Sequence, residues 1–405
     1  MLHIHFGAGR VGLGLIAPAF QTENSELYLF NRAVSGANAT GSTALGSERR
    51  NELLGAGEAK RYFIEKPGAS AADRKVVTYD DFITYEAETV EQRIHEIMHR
   101  SRGAAAGVIV SASILALENY SPVIGALNLL AKRRAEDGGI GRIYFVACEN
   151  TLSAPAIYRD DTVLPLVTED TLRYVTCVHA LVDRMCVGLE EVATDDGRAV
   201  LVRAEDYGSV KLELKADTED LVELCRGSEV EFSRHVDTEK QIKSWLLNGT
   251  HWLIALDAFE KSHGDQGMKL NEFISANPRR LEFARTAMRE MQEGVAILLR
   301  SDDKFREFVE DVDVDAYLDG AASAILRRFC STEDPITRIL ARFRAPTPDS
   351  IDTIVSFSKR FADRVDGPMQ AYEARNGVMP PAASRGVVSL MRLVARGSFI
   401  TAVAA

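Results

Sequence analysis

The spacing of apolar residues changes character once along this chain, and the change separates two kinds of structure. In the first part, apolar residues come in short runs broken by small and polar ones. Residues 2–6 (LHIHF) predict a strand ending at Gly7, followed by a small-residue helix to about residue 20. A second strand over 27–30 ends at Asn31-Arg32, and the Gly/Ala/Ser/Thr-rich stretch 35–47 predicts a loop or a weak helix start. Short strands follow at 61–65 and 76–79, then a helix over 89–101 and a buried strand, GVIVSA, over 107–112. A helix over 121–135 and the strand 142–147 (RIYFVA) complete the series. Strands alternating with helices predict a parallel sheet with crossover helices, a Rossmann-type domain over residues 1–165.

Past Pro165 the pattern is different. Residues 170–215 read as mixed, with a hairpin expected to pair 199–203 with 209–215. From about residue 238 the apolar period is helical nearly throughout, over 240–262, 278–299, 303–312, 314–328, 335–342, 350–365 and 384–396. The expected fold class is therefore α/β: an N-terminal parallel-sheet domain, 1–165, followed by a mainly α-helical substrate and catalytic domain, 166–405. No internal repeat or low-complexity tract is visible.

Composition narrows the function classes. With 405 residues, 46% hydrophobic and 26% charged, the chain has the make-up of a water-soluble globular protein of two or three domains. A net charge of −11 and a pI near 5.4 argue against nucleic-acid or acidic-membrane partners. They do not bear on local patches, so a small anionic substrate stays open. The five cysteines are odd in number, scattered and without a C-x-x-C pair, which reads as free thiols in a reducing cytosol and disfavours a structural zinc site. No charged-then-apolar leader opens the sequence, and no apolar run reaches the roughly 18 residues of a membrane span. A cytoplasmic monomer or small homo-oligomer is expected.

Candidate chemistry begins at the first strand. Gly7-Ala8-Gly9-Arg10-Val11-Gly12 is a G-x-G-x-x-G sequence between a strand and a helix, the context its mechanism needs. The first glycine allows the turn, the second lets backbone approach a pyrophosphate, and the third packs helix on strand. The free amides and positive end of the helix then hold the anion. These residues predict binding of NAD or NADP. A free ribose 2′-hydroxyl calls for an acidic residue at the end of the second strand. This chain has Asn31-Arg32 there, and an arginine can pair with a 2′-phosphate, which favours NADP. Ser111-Ala112-Ser113, at the end of the third convincing strand, would lie near the nicotinamide ribose. His3 and His5 alternate on one strand face and read as core or cofactor-adjacent residues.

The stretch KSWLLNGTH, residues 243–251, carries a base, an amide and an imidazole within a long helical pattern. At 100° per residue Asn248 lies about 140° round from Lys243 and His251 about 80°, so all three share one broad face. Such a face suits proton removal from an alcohol or polarisation of a carbonyl. Ligands of open parallel sheets bind beyond the strand carboxyl ends, which places Asn150, after strand 142–147, to donate to a substrate oxygen.

FGAGRVGLG, the ACEN of 147–150, the VDR of 182–184 and K-x4-N-x2-H of 243–251 occur in this order and at compatible spacing. Together they resemble the polyol-specific long-chain dehydrogenases, the mannitol dehydrogenase family, and within it the branch acting on mannitol 1-phosphate. The likeness runs to about residue 262 and is diffuse beyond. It implies zinc-independent hydride transfer in the cleft between the sheet's carboxyl edge and the Lys243 helix. Lys243 would be the general base, Asn150 and Asn248 an oxyanion hole, and His251 the residue that orients the substrate. Asp183 and Arg184 match a substrate-side motif. Arg328 precedes Phe329 as in the family's R-F before Asn-Pro, but here the sequence is RRFCSTEDP, two residues longer and with Asp334 in place of the asparagine. His179 is a second departure. These differences point to a polyol, sugar phosphate or related specialised substrate other than mannitol 1-phosphate. Rival readings are a hydroxyacid or phosphogluconate-type dehydrogenase, which the ACEN–VDR–lysine order disfavours, and a dinucleotide-binding sensor without catalysis.

Overall fold

The computed structural model describes residues 1–405 except 34–44, 58, 67, 87–88, 115–116, 150–153, 206–207, 266, 342–358 and 396–405. Its strands are β1 (Leu2–Phe6), β2 (Glu26–Arg32), β3 (Arg61–Glu65), β4 (Lys75–Thr78), β5 (Asp81–Tyr85), β6 (Val108–Ala112) and β7 (Ile143–Ala147). They continue with β8 (Val175–Val178), β9 (Ala180–Val182), β10 (Cys186–Thr194), β11 (Gly197–Ala204), β12 (Val210–Glu213) and β13 (Val230–Ser233).

Six strands form one parallel sheet in the order β5-β2-β1-β6-β7-β8, with Phe6 opposite both Phe30 and Ala112. Every residue of β1, β6 and β7 is buried, as a parallel sheet covered on both faces requires. On one face Leu2, Ile4 and Phe6 pack with Ile94, Ile97, Leu127 and Leu130 of the helices Val90–Arg100 and Ser121–Asp137. On the other, Ile109, Tyr144 and Val146 pack with Leu15, Ile16 and Phe20. The strand order runs outward in both directions from β1 and β6, so their carboxyl ends form the topological switch point where such sheets bind ligands. The Rossmann-type sheet followed by a mainly helical part is the expected fold class.

Two smaller sheets adjoin it, β10-β11-β3-β4 and β13-β12-β9. They correct two expectations. The strands foreseen at 199–203 and 209–215 exist but do not pair. β11 runs antiparallel to β10 across the turn at Asp195-Asp196, while β12 joins β9 and β13. The first compact unit also extends well past residue 165: the chain divides into Met1–Val236 and Asp237–Ala405. The reason is pairing and burial. β8 completes the parallel sheet beside β7, and Val178, Ala180, Val182, Val210 and Leu212 share a core with Ile109 and Tyr144.

Among its described residues the second unit is built of helices. Its core joins Trp252, Leu253 and Phe259 to Phe273, Met288, Met291, Phe308 and Leu318. The helix Pro278–Ser301 is capped by Asn277, whose side chain accepts from the Arg279 amide at 2.9 Å, with proline in its first turn. Within it the buried Glu290 accepts from the amides of Ala382 and Ala383 at 2.9 and 2.7 Å. That carboxylate supplies the partner that the first turn of helix Pro381–Ala395 lacks by itself. The helices Leu270–Ser275 and Gly367–Asn376 were not foreseen, and most of the one expected at 350–365 lies outside the described residues. No described helix is long and apolar enough to cross a membrane.

Candidate active site

β1 ends in the glycine loop. Gly7 adopts φ +108°, a conformation that favours glycine, and its amide donates to the Phe30 carbonyl at 2.8 Å. A Cβ on Gly12 would overlap the Gly7 carbonyl oxygen and lie 2.5 Å from His5 Nε2 and 2.9 Å from Ser113 Oγ. At Gly9, by contrast, nothing lies within 4 Å of a Cβ. The first and third glycines are thus demanded by the protein itself, while the second faces open space, the arrangement a backbone approach to pyrophosphate requires. The helix that follows starts with a π-helical turn, Gly12–Ile16.

Side chains brace this loop. Asn31 Oδ1 accepts from the Ala8 amide at 3.1 Å, and its Nδ2 donates to Asn51 Oδ1 at 2.7 Å. The exposed Arg32 donates through Nη1 to Asn119 Oδ1 at 3.0 Å, and Asn119 in turn donates to the Ile114 carbonyl. Arg10 is exposed and donates to the Val187 carbonyl at 3.3 Å, and Val11 is half-buried. The loop, Asn31, Arg32 and Ser113 therefore gather at the carboxyl ends of β1, β2 and β6.

Beneath the loop lies a buried polar chain that the sequence only hinted at. Ser111 Oγ stands 2.8 Å from His3 Nε2 and 2.7 Å from His5 Nδ1, and His5 Nε2 is 3.1 Å from the Gly7 carbonyl oxygen. A carbonyl can only accept, so His5 carries its proton on Nε2 and accepts from Ser111 on Nδ1. Ser111 then accepts from His3 Nε2. Ser111 is fully buried and committed to both histidines. It braces β1 against β6, Ala112 is buried in the sheet, and Ser113 alone of the expected trio borders the loop.

Burial drives His3 well below the ordinary imidazole value, helped by neighbouring His5. Burial also pushes His5 down to about 4, against the opposing effect of its bond to Gly7. Both are neutral near pH 7. Above about pH 7.5 neither the folded nor the unfolded chain protonates them appreciably. As pH falls from 6.5 towards 4 the unfolded chain takes up protons that the folded chain excludes, so stability falls through that window. For His5 alone the loss is about 3 kcal/mol by pH 4. The urea midpoint of the wild type should therefore drop more steeply between pH 7 and 4.5 than that of His5→Gln. Equal slopes would remove His5 from the acid response.

At the end of β7, the buried Glu149 accepts from the Ile114 amide at 2.5 Å and lies 3.4 Å from the Tyr120 hydroxyl. Burial first, then Glu149, pushes the Tyr120 phenol upward. Glu149 ties the β7 end to the segment after β6. It stands inside the ACEN sequence, directly before Asn150. Asn150 itself lies outside the described residues. Arg184 donates through Nη1 to the Gly14 carbonyl at 3.0 Å and through Nη2 to the Gly208 carbonyl at 3.2 Å, so its guanidinium clamps backbone segments of the first unit. The amide of neighbouring Asp183 donates to the Ser209 carbonyl at 3.1 Å.

In the second unit Lys243–Gly249 is a π-helical turn between the α-helices Val236–Ile242 and Thr250–Lys261. This alters the expected geometry. A π turn closes over five residues rather than four, so Asn248 stands roughly one turn from Lys243 instead of well round the helix. Lys243 and Asn248 are half-buried and His251 is buried. Against the inner side of this turn packs another π-helical turn, Ala362–Asp366. Trp245 Nε1 donates to the Asp363 carbonyl at 3.2 Å, and Gly249 leaves room for the Arg364 carbonyl oxygen, 2.5 Å from where a Cβ would stand.

The divergent segment 327–335 also arrives here. Phe329 stacks on the His251 ring with centroids 4.6 Å apart, and Asp334 Oδ2 lies 3.7 Å from His251 Nε2. Arg328, half-buried, sits on the same helix as Phe329, Val314–Ser331.

A Rossmann-type sheet with a glycine loop at its switch point, followed by a helical unit, is an architecture shared with solved dehydrogenases. The chain is similar in fold to Pseudomonas fluorescens mannitol 2-dehydrogenase in complex with NAD and D-mannitol, with a TM-score of 0.52 and 17% identity over 99% of this chain and 90% of that one. It is likewise similar to a D-sorbitol dehydrogenase, with a TM-score of 0.55 and 14% identity over 99% of this chain and 94% of that one. No family model and no curated protein matches the chain.

Proposed function

We propose that this chain is an NAD(P)-dependent dehydrogenase of the mannitol dehydrogenase family. In this reading it interconverts a secondary alcohol and a ketone on a polyol, sugar phosphate or related substrate, without zinc. The observation that carries the reading is the set Lys243, Asn248 and His251 on one π-distorted helix. It stands in a chain whose glycine loop has the two filled and one open positions of a dinucleotide cradle. The fold likeness to enzymes of mannitol and sorbitol supports it.

The bound nicotinamide would supply the hydride acceptor or donor. In the direction of oxidation Lys243 removes the hydroxyl proton, which requires the amine to be neutral for part of the time. Asn248 and Asn150 donate to the developing alkoxide oxygen without placing another fixed cation beside it. His251 orients the substrate. Asp183 and Arg328 are the further candidates for substrate contact, whereas the backbone bonds of Arg184 suit a bracing role better. Arg32 is the candidate for a 2′-phosphate, because its guanidinium is exposed beside the loop and steadied by Asn119.

The test is a screen of D-mannitol, D-sorbitol, mannitol 1-phosphate and the corresponding ketoses with NAD and with NADP, followed at the reduced-nicotinamide absorbance band. Turnover of at least one alcohol is expected. Turnover restricted to 2-hydroxyacids would overturn the assignment, and activity confined to mannitol 1-phosphate would overturn the specialised substrate. In the same assay Arg32→Ala should raise KM for NADP by roughly tenfold or more and leave NAD nearly unchanged. Equal effects on both cofactors would remove the NADP preference.

A further inference from the structure

The candidate histidine has a charged neighbour that the family resemblance does not supply. His251 and Asp334 are 4% and 2% exposed, and Oδ2 faces Nε2 at 3.7 Å, a charge contact slightly too long for a hydrogen bond. Asp334 is held in place from several directions. Its Oδ1 accepts from Arg338 Nε at 2.6 Å, and its carbonyl accepts from the Leu270 amide at 2.9 Å. One residue on, Pro335 bridges to Lys269, and the Ile336 amide donates to the Met268 carbonyl at 3.0 Å. Phe329 covers one face of the imidazole at a 17° interplanar angle. Ring plane and carboxylate are thus both set by tertiary contacts rather than by side-chain choice.

We propose that Asp334 is a positioning residue for His251. Resting on the dehydrogenase reading above, the carboxylate keeps the imidazole proton on Nε2, so that His251 meets the substrate in one fixed tautomer with Nδ1 as an acceptor. The carboxylate's negative charge favours an N–H over a nitrogen lone pair facing it, so the nitrogen turned towards it is the one that carries hydrogen. The charged groups around the pair decide between tautomer control and a permanent imidazolium. Among the described contacts, Arg338 from the helix Ile336–Ala341 already neutralises Asp334, and helix Val314–Ser331 presents the uncharged Phe329 to the ring. Asp334 therefore selects the tautomer more than it adds charge.

Asp334→Asn makes a sharp test because Arg338 will still claim the side-chain oxygen. The amide NH2 is then left facing Nε2, which must become an acceptor, and the proton moves to Nδ1. In the full chain labelled with 15N-histidine, the His251 signals are assigned by their loss in His251→Gln. Long-range 1H–15N correlation should show Nε2–H in the wild type and Nδ1–H in Asp334→Asn. With the best alcohol from the screen, kcat/KM should fall at least tenfold.

An Nδ1–H tautomer in the wild type overturns the proposal, and this needs no variant to fold. A folded Asp334→Asn with unchanged tautomer overturns it even if activity falls, since that loss would be structural. An inverted tautomer with kcat/KM within twofold of wild type overturns it as well. If no alcohol is turned over but the tautomer inverts as stated, the dehydrogenase reading fails, and the control of His251 by Asp334 stands.

Discussion

Lys243→Ala is expected to lower kcat by roughly 10²–10⁴-fold, the usual contribution of a positioned general base, while dinucleotide binding persists. The lysine is half-buried at the start of the π-helical turn, so its removal leaves the Trp245–Leu246–Leu247 packing in place. Alanine is also the better helix former, which argues against unfolding as the cause of any loss. Lys243→Arg separates base from charge. A guanidinium stays protonated near neutral pH, so it preserves the cation and abolishes the base. Turnover should be as low in Lys243→Arg as in Lys243→Ala, while calorimetric titration should show reduced dinucleotide still bound by both. An arginine variant with a tenth or more of wild-type kcat would show that Lys243 acts by charge alone.

The second large effect is expected at the glycine loop, where two neighbouring substitutions should behave differently. In Gly12→Ala the new methyl group meets the Gly7 carbonyl and the His5 ring, both held in the buried His–Ser chain. Backbone cannot give way as a flexible side chain can, so the loop must shift. Overpacking of this kind costs about 1–3 kcal/mol or more. The melting temperature should fall by at least about 3 °C, and dinucleotide Kd should rise at least tenfold. In Gly9→Ala the methyl group enters open space, so the melting temperature should hold while Kd rises comparably. Calorimetry and a binding titration on the two proteins decide the matter. Gly9→Ala binding as tightly as wild type would mean that no pyrophosphate approaches the loop at that point.

Much of the first unit was legible in the sequence because its signals are local. β1, β3 and the helix from residue 121 begin where short apolar runs and small residues said they would. The glycine loop was recognisable because its three glycines answer to backbone conformation and close approach, which depend on a few adjacent residues. Pairing was less legible. β11 was foreseen, but its partner β10 was not, since the choice between a neighbour upstream and one downstream rests on contacts distant in sequence. The boundary at Val236 was hidden for the same reason: β8 is recognisable as part of the first unit only once it is seen beside β7.

The candidate site divides along the same line. By itself the sequence determined which residues offer chemistry: a lysine, an amide and an imidazole on one helix, after a strand–glycine–helix loop. Residue type and an apolar period that marks a helix are properties of neighbouring positions, which is why they are legible without the fold. Only the tertiary structure decided how those groups are held. The π turn brings Asn248 nearly above Lys243, which a regular 100° step could not foretell. His5 and Ser111 form a brace under the loop although they are separated by 106 positions. Asp334, which in the sequence was merely a departure from a family pattern, stands against His251 across 83 positions of chain. Burial and distance between remote residues set tautomer, charge and reach, and these are settled by the packing of the whole unit rather than by any one segment.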